Sequence, residues 1–327
     1  MNPELRHVLS ARDFTREFVE GIINSAAAME KALEEKTALP NHTGRVIATL
    51  FFERSTRTRI SFENAAHLLG AQVIPCENAK ESSSVGKGES YEDTFRVLGG
   101  YPLDAIICRS DKSNLGELAR FSQVPIISAG DGGGEHPTQA LLDLYTIWKE
   151  IGRLDELCVL LYGDLQSRPV RSLAIALSSF ERNMSIFVGP EKLQLEKETM
   201  DFLFLRRRIE VRTPFVPPVL DLRPKLWEEV DVVYLTRFQD ERKVISAEEY
   251  AVARRDFFFS SDKLGKMQKH ARVLHPLPKR DDEVDPALTP EFDHRIAWFR
   301  QAHNGVPVRM ALLHWVFTGE FYNPPPW

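Results

Sequence analysis

Short apolar runs rich in β-branched residues alternate along this chain with segments of helical period, and that alternation does most to restrict its fold. Arg45–Phe51, Gln72–Cys76, Asp104–Cys108 and Pro125–Ser128 read as strands. Helices are expected between them at Thr56–Leu69, Tyr91–Leu98 and Asn114–Phe121, and a long amphipathic helix follows over Pro137–Ile151. The alternation then restarts. Cys158–Tyr162, Ser185–Val188, Glu210–Arg212, Asp231–Leu235 and Arg272–Leu274 are strand candidates, with the clearest helix among them at Val170–Phe180. Strands separated by helices pair in parallel and are covered on both faces, so the expected fold class is α/β. Two such halves joined by one long helix give two doubly wound parallel-sheet domains, and 327 residues is a length for two domains. Gly70, Gly99 and Gly100 stand where helix C-caps are expected, and Ser90 with Asp93 is an acidic variant of the capping box. Thr213–Pro218 and Pro324–Pro326 read as a loop and a tail, and Arg206, Arg207 and Arg208 as a solvated helix end.

Composition narrows the partners. Lys and Arg number 42 against 47 Asp and Glu, a formal net charge of −5, which argues against a nucleic-acid or membrane-surface binder. Cys76, Cys108 and Cys158 lie far apart without CxxC spacing, which excludes a disulfide framework and fits a reducing compartment. Apolar runs are too short to span a bilayer and the first residues are polar, so a cytoplasmic location is expected.

In sheets of this kind ligands sit beyond the carboxyl ends of the strands. After the first strand, Ser55, Thr56, Arg57 and Thr58 fall on a helix N-terminus, where free backbone N–H groups and the positive dipole end attract anions. Three hydroxyls add neutral donors, and Arg57 adds a fork suited to phosphate oxygens. The plainer alternative is that Ser55 or Thr56 caps the helix while the arginines are solvated. That alternative does not explain why hydroxyls and arginines interleave over a whole turn. Glycine-rich GxGxxG and GxxxxGK[ST] loops are absent. Arg109 immediately follows the strand Asp104–Cys108, and His136 and Gln139 share the start of the long helix. Alone, Arg109 reads as a solvated strand end and His136 as a helix-start histidine beside Pro137. With no other ligand at metal spacing, no metal is expected at His136.

Taken in order, these segments resemble the aspartate and ornithine carbamoyltransferase family. Ser-Thr-Arg-Thr-Arg over 55–59 is similar to its carbamoyl-phosphate signature, and Ser82-Ser83-Ser84-Val85-Gly86-Lys87-Gly88-Glu89 to its mobile lysine loop. Gly130-Asp131-Gly132 leading to His136-Pro137-Thr138-Gln139 resembles its HPTQ segment, and Thr236-Arg237-Phe238-Gln239 and His275-Pro276-Leu277-Pro278 complete the set. Ornithine enzymes carry His-Cys-Leu-Pro at the last motif and an Asp and Ser-Met-Gly pattern at Thr236–Gln239. Arg237 suits a dicarboxylate and would repel an ammonium, so the resemblance is to the aspartate branch.

The resemblance implies transfer of a carbamoyl group from carbamoyl phosphate to the α-amino group of L-aspartate, a step of pyrimidine biosynthesis, without metal, cofactor or covalent intermediate. It assigns carbamoyl phosphate to Ser55, Thr56, Arg57, Thr58, Ser83, Arg109, His136, Gln139, Pro276 and Leu277. It assigns aspartate to Lys87, Arg168, Arg237 and Gln239, and catalysis to Arg57, Thr58, Lys87, Arg109, His136 and Gln139. It implies a homotrimer in which Ser83 and Lys87 reach a neighbour's site, with a regulatory chain or a dihydroorotase as further partners. The C-terminal helix is expected to return to the first domain. Residues 1–140 and 300–327 would take carbamoyl phosphate, and residues 141–299 aspartate.

Three places depart from the family's pattern. Arg54 replaces a small residue or proline, the segment from Asp164 to Arg168 is one residue short, and either Lys279 or Arg280 stands for the family's arginine. Two other functions stay open at this point: transfer to ornithine or a related amine, and a non-catalytic scaffold in a pyrimidine-pathway assembly.

Overall fold

A computed structural model describes residues 5–206, 209–212 and 226–324. The chain divides into two compact units, Met1–Tyr145 with Asn304–Trp327, and Thr146–His303.

In the first unit, β1 (Val46–Phe51), β2 (Gln72–Glu77), β3 (Ala105–Ser110) and β4 (Ile126–Asp131) form a parallel sheet in the order β2-β1-β3-β4. In the second, β5 (Cys158–Gly163), β6 (Asn183–Val188), β7 (Ile209–Arg212), β8 (Val232–Thr236) and β9 (Arg272–Leu274) are parallel in the order β7-β6-β5-β8-β9. The order reverses between β1 and β3 in one sheet and between β5 and β8 in the other. Those switch points are where open α/β sheets leave room for ligands.

The main helices are α1 (Arg16–Glu35), α2 (Thr56–Leu68), α3 (Tyr91–Gly99), α4 (Pro137–Ile151), α5 (Arg168–Leu177) and α6 (Gly305–Thr318). All of β5 is buried, as a central parallel strand with helices on both faces requires. Leu50, Phe52, Phe95, Ile106 and Ile126 belong to one apolar core, and Leu160, Val233, Phe238, Phe259 and Trp298 to the other.

The strand–helix alternation does not include α1, the longest helix among the described residues. The signal was there. Thr15 accepts a hydrogen bond from the Phe18 amide, and Val19, Ile22, Ile23, Ala26 and Met29 make a buried stripe at helical spacing. The C-terminal helix α6 packs on α1 and α2. Beyond it, Phe321 lies on Gly21, where a Cβ would come within 2.5 Å of the Phe321 ring, and the Tyr322 amide donates to the Ser25 hydroxyl at 2.9 Å.

Other expectations shift in detail. Asn114–Phe121 is a single α-turn, Leu115–Leu118, followed by a 3-10 turn, because Asn114 provides no cap and the run is too short to propagate. The lysine loop contains two short turns, Ala79–Ser82 and Ser84–Lys87. Ser90 accepts from the Asp93 amide as the capping pattern predicted, and Gly70 takes the left-handed conformation (φ +77°). Arg206 ends the helix Lys197–Arg206 and is exposed, with its guanidinium over Phe202. Thr213–Pro218, Arg207, Arg208, Pro325 and Pro326 lie outside the described residues. Among the described residues no helix is long and apolar enough to cross a membrane.

Candidate active site

The first unit places its site residues at the carboxyl ends of its four strands. Ser55–Thr58 follow β1, Ser83 and Lys87 follow β2, Arg109 is in the last turn of β3, and His136 and Gln139 follow β4. At α2 the capping alternative fails. Ser55 is the N-cap, yet its hydroxyl accepts no hydrogen bond from the helix, whereas Thr15, Ser90, Ser246 and Ser260 all do so for theirs. The amides at the start of α2 therefore point outward without a side-chain partner from the N-cap residue.

Arg57 and Arg59 differ sharply despite their spacing. Arg59 is tied to Glu63 at 3.2 Å and Glu77 at 3.0 Å, which makes it a brace between α2 and β2. Arg57 is exposed, and its guanidinium has no hydrogen-bond or carboxylate partner among the described residues. Thr58 is buried, and Thr56 is open to solvent.

Arg109 corrects one expectation. It does not follow its strand but lies within β3, which continues to Ser110, and the register with β4 shifts between Cys108 and Ser110. The extra residue of that irregularity lies on β4, between Ser128 and Asp131. The Arg109 guanidinium donates to the Ala129 carbonyl at 3.0 Å and pairs with Glu53 at 3.2 Å, so it is held beside the β1–α2 turn. His136 is buried, with Nδ1 3.5 Å from the Thr138 hydroxyl. Gln139 donates through Nε2 to Asp143 at 2.9 Å. Lys87 is exposed, with no partner among the described residues.

In the second unit the candidates again sit at carboxyl ends of adjacent strands. Arg168 opens α5 after β5, Arg237 and Gln239 follow β8, and Pro276 and Leu277 follow β9. Gly163 closes β5 with φ +114°, and a Cβ there would stand 2.5 Å from the Thr236 carbonyl. Only glycine lets these two strand ends approach so closely. Arg168 is buried. Arg237 forms a two-pronged pair with Glu241, one contact being 2.9 Å. That pairing holds the Glu241 carboxyl down at about 2. The Arg237 fork thus already grips a carboxylate in the bidentate way a dicarboxylate ligand would need.

Two carboxylates that sequence analysis did not single out organise this unit's site. Asp164 accepts from the Gln166 amide at 3.0 Å and the Gln239 amide at 3.4 Å, tying the loop before Arg168 to the loop after Arg237. Burial raises its pKa to about 6 against those donors and the nearby Arg242 and Arg237. Glu283, 4% exposed, accepts from the Phe238 amide at 3.0 Å and lies 3.6 Å from Arg254. Burial raises it to about 7. Gly163-Asp164 after a strand could have drawn attention to the first. Glu283 was hidden inside the acidic run 281–283, which reads as surface.

Glu283 gives a pH prediction. A carboxyl whose folded pKa lies above the unfolded one contributes most stability below the unfolded pKa of 4.5, and loses that contribution as pH rises through about 7. Glu283→Gln should melt close to the unaltered protein at pH 5.5 and above it at pH 8.5. The gain across that window should be on the order of 1–3 kcal/mol. A difference in melting that does not change with pH would contradict the assignment.

His275 is buried, and its Nδ1 accepts from the Leu277 amide at 2.8 Å, which leaves the ring proton of the neutral form on Nε2. This bond shapes the Pro276–Leu277 backbone. Of the two cations after Pro278, Arg280 reaches Asp240 at 3.4 Å, within the loop that carries Arg237, while Lys279 pairs with Asp281. Among the described residues, no group of three His, Cys, Asp or Glu side chains is placed to hold a metal ion.

Family models match both units. The aspartate/ornithine carbamoyltransferase carbamoyl-P binding domain matches residues 6–149, and the Asp/Orn binding domain of the same family matches residues 155–316. The chain belongs to the aspartate/ornithine carbamoyltransferase family. Within that family it is 44% identical over 310 residues to the aspartate carbamoyltransferase catalytic subunit of Methanothrix thermoacetophila, covering 94% of this chain and 97% of the relative. It is 42% identical to the chloroplastic aspartate carbamoyltransferase of Arabidopsis thaliana, covering 97% of this chain and 79% of that one. Among solved structures, aspartate transcarbamoylase from Trypanosoma cruzi in complex with carbamoyl phosphate superposes with a TM-score of 0.85 at 32% identity, covering 95% of each chain. The catalytic subunit of the M. jannaschii enzyme does so at 0.82 and 39%, covering 96% of this chain and 99% of that one. The carbamoyltransferase fold, two parallel-sheet α/β units with the last helix packed on the first, is therefore the fold of this chain.

Proposed function

We propose that the chain transfers the carbamoyl group of carbamoyl phosphate to the α-amino group of L-aspartate, giving N-carbamoyl-L-aspartate and phosphate for pyrimidine synthesis. The observation that carries this reading is the division of cations between the two switch points. At β1/β3 a partnerless guanidinium, Arg57, accompanies an uncapped helix N-terminus suited to a phosphate. At β5/β8 two guanidiniums, Arg168 and Arg237, suit the two carboxylates of aspartate.

In this reading Ser55, Thr56, Arg57 and Thr58 hold the phosphate, and Arg109, His136 and Thr58 donate to the carbamoyl oxygen. Gln139 meets the carbamoyl amide. The amine attacks the carbamoyl carbon, negative charge collects on the carbonyl oxygen, and the bond to the phosphate oxygen breaks. The proton lost by the amine ends on phosphate. A donor to the developing oxyanion contributes about 10²–10³ in turnover, and holding the two reactants together supplies a further ~7–11 kcal/mol. Arg168, Arg237, Gln239 and Lys87 orient aspartate, and Arg280 serves where relatives have arginine after the last proline. Residues 1–140 and 300–327 are the carbamoyl-phosphate domain and 141–299 the aspartate domain.

The working form is a homotrimer with Ser83 and Lys87 lent to the neighbour's site. Two features support this: Lys87 is exposed, and the edge strand β2 leaves Ile74 55% exposed, with Ile60 on α2 51% exposed. An open parallel edge with apolar residues calls for a cover. The three cysteines carry no disulfide, which supports a cytoplasmic setting.

Offering aspartate and ornithine in parallel with carbamoyl phosphate tests the acceptor. Turnover should occur with aspartate and be absent with ornithine, and turnover with ornithine alone would overturn the proposal.

A further inference from the structure

Gln139 and Asp143 lie one turn apart on α4, on the same face of the helix. The Gln139 amide donates through Nε2 to Asp143 Oδ1 at 2.9 Å, and Asp143 is completely buried. That bond uses Asp143 Oδ1 as acceptor and so holds the glutamine amide in one of its two orientations: nitrogen toward Asp143, oxygen away from it. Arg309 of α6, 3% exposed, is buried close enough to Asp143 to feel its charge. Burial pulls Arg309 down to about 10, against the opposing influence of Asp143, and it stays charged at neutral pH.

Arg309 is itself fixed. Its guanidinium lies 4.9 Å from the centre of the Phe62 ring, and Phe62 sits one turn beyond Thr58 on α2. Gly305, one turn back on α6, makes room for it, because a Cβ there would stand 2.3 Å from Arg309 Nη1. Phe62 and Gly305 thus hold the Arg309 guanidinium in place.

We infer that Asp143 is a positioning residue that fixes the polarity of the Gln139 amide, so that the site presents an acceptor to the ligand and selects an N–H donor beside the phosphate. This rests on reading the site as one for carbamoyl phosphate. The group selected is the carbamoyl NH₂. Acetyl phosphate, which has a methyl group in its place, leaves the Gln139 oxygen unpaired and is rejected.

The test compares binding of carbamoyl phosphate, acetyl phosphate and inorganic phosphate by calorimetry in the intact protein and in Asp143→Asn. Asparagine can donate as well as accept, so the amide is free to turn. The intact protein should prefer carbamoyl over acetyl phosphate by about 10². Asp143→Asn should narrow that preference about tenfold while inorganic phosphate binds within twofold of normal. Adding Gln139→Ala to Asp143→Asn should narrow it little further, because the two act as one unit. If Asp143→Asn does not fold, Arg309→Met provides the same readout, with narrowing in the same direction expected. An unchanged preference, or an equal loss for all three ligands, overturns the positioning role. If the intact protein itself binds carbamoyl phosphate no better than inorganic phosphate, the reading of the site fails instead.

Discussion

Arg57→Ala should lower kcat/KM for carbamoyl phosphate by about 10³, roughly 4 kcal/mol of transition-state stabilisation, and leave thermal stability nearly unchanged. The two halves of this expectation have different origins. The kinetic loss follows from removing a cation in the first turn of α2 whose guanidinium has no partner among the described residues. The unchanged stability follows from its exposure and lack of an internal partner, since surface changes of that kind move stability by only ~0.5 kcal/mol. Arg59→Ala provides the control. It breaks the pairs with Glu63 and Glu77 and should cost stability first, with a smaller effect on phosphate-side affinity. Normal affinity for carbamoyl phosphate in Arg57→Ala would refute the anion-site argument.

The second large effect comes from mixing two inactive proteins. If each site takes Arg57 from its own chain and Lys87 from the next, Arg57→Ala and Lys87→Ala are each inactive alone. In a closed ring of three, every mixed trimer then holds one site with both residues intact. Random 1:1 exchange should restore about a quarter of normal activity. No recovery after demonstrated subunit exchange would show that Lys87 acts within its own chain, and a native mass of a single chain would remove the trimer altogether.

Much of the fold was legible because buried parallel strands write themselves as β-branched runs. Cys158–Tyr162 and Asp231–Leu235 stand out for that reason and match β5 and β8 to within a residue or two. The α1 helix was equally legible, through Thr15 and its apolar stripe, but it lies outside the strand–helix alternation that guided the reading. The motif residues after strands could be placed at carboxyl ends from order alone. Which of them carry a free charge could not. Arg57 and Arg59 are alike in sequence, and only the tertiary positions of Glu63 and Glu77 separate them.

The supporting carboxylates were illegible for a related reason. Asp164 takes its function from the Gln239 amide, 75 residues away, and Asp143 lies within electrostatic reach of an arginine in the last helix. Arg309 sits among Val306, Pro307, Val308, Met310, Ala311 and Leu312, a run that reads as plain core. A charge buried there is visible in sequence, but its counter-charge is not. The ion pair that holds Arg109 against Glu53, 56 residues away, leaves no local mark either.

The central claim is that this chain holds a phosphate with one set of cations and a dicarboxylate with another. Calorimetric titration with a bisubstrate analogue, a phosphonate joined to an aspartate skeleton, tests it most directly. The account predicts one analogue bound per chain, far more tightly than inorganic phosphate or aspartate alone, and strong weakening by either Arg57→Ala or Arg237→Ala. An analogue that binds no better than phosphate, or that is indifferent to Arg237→Ala, would contradict it.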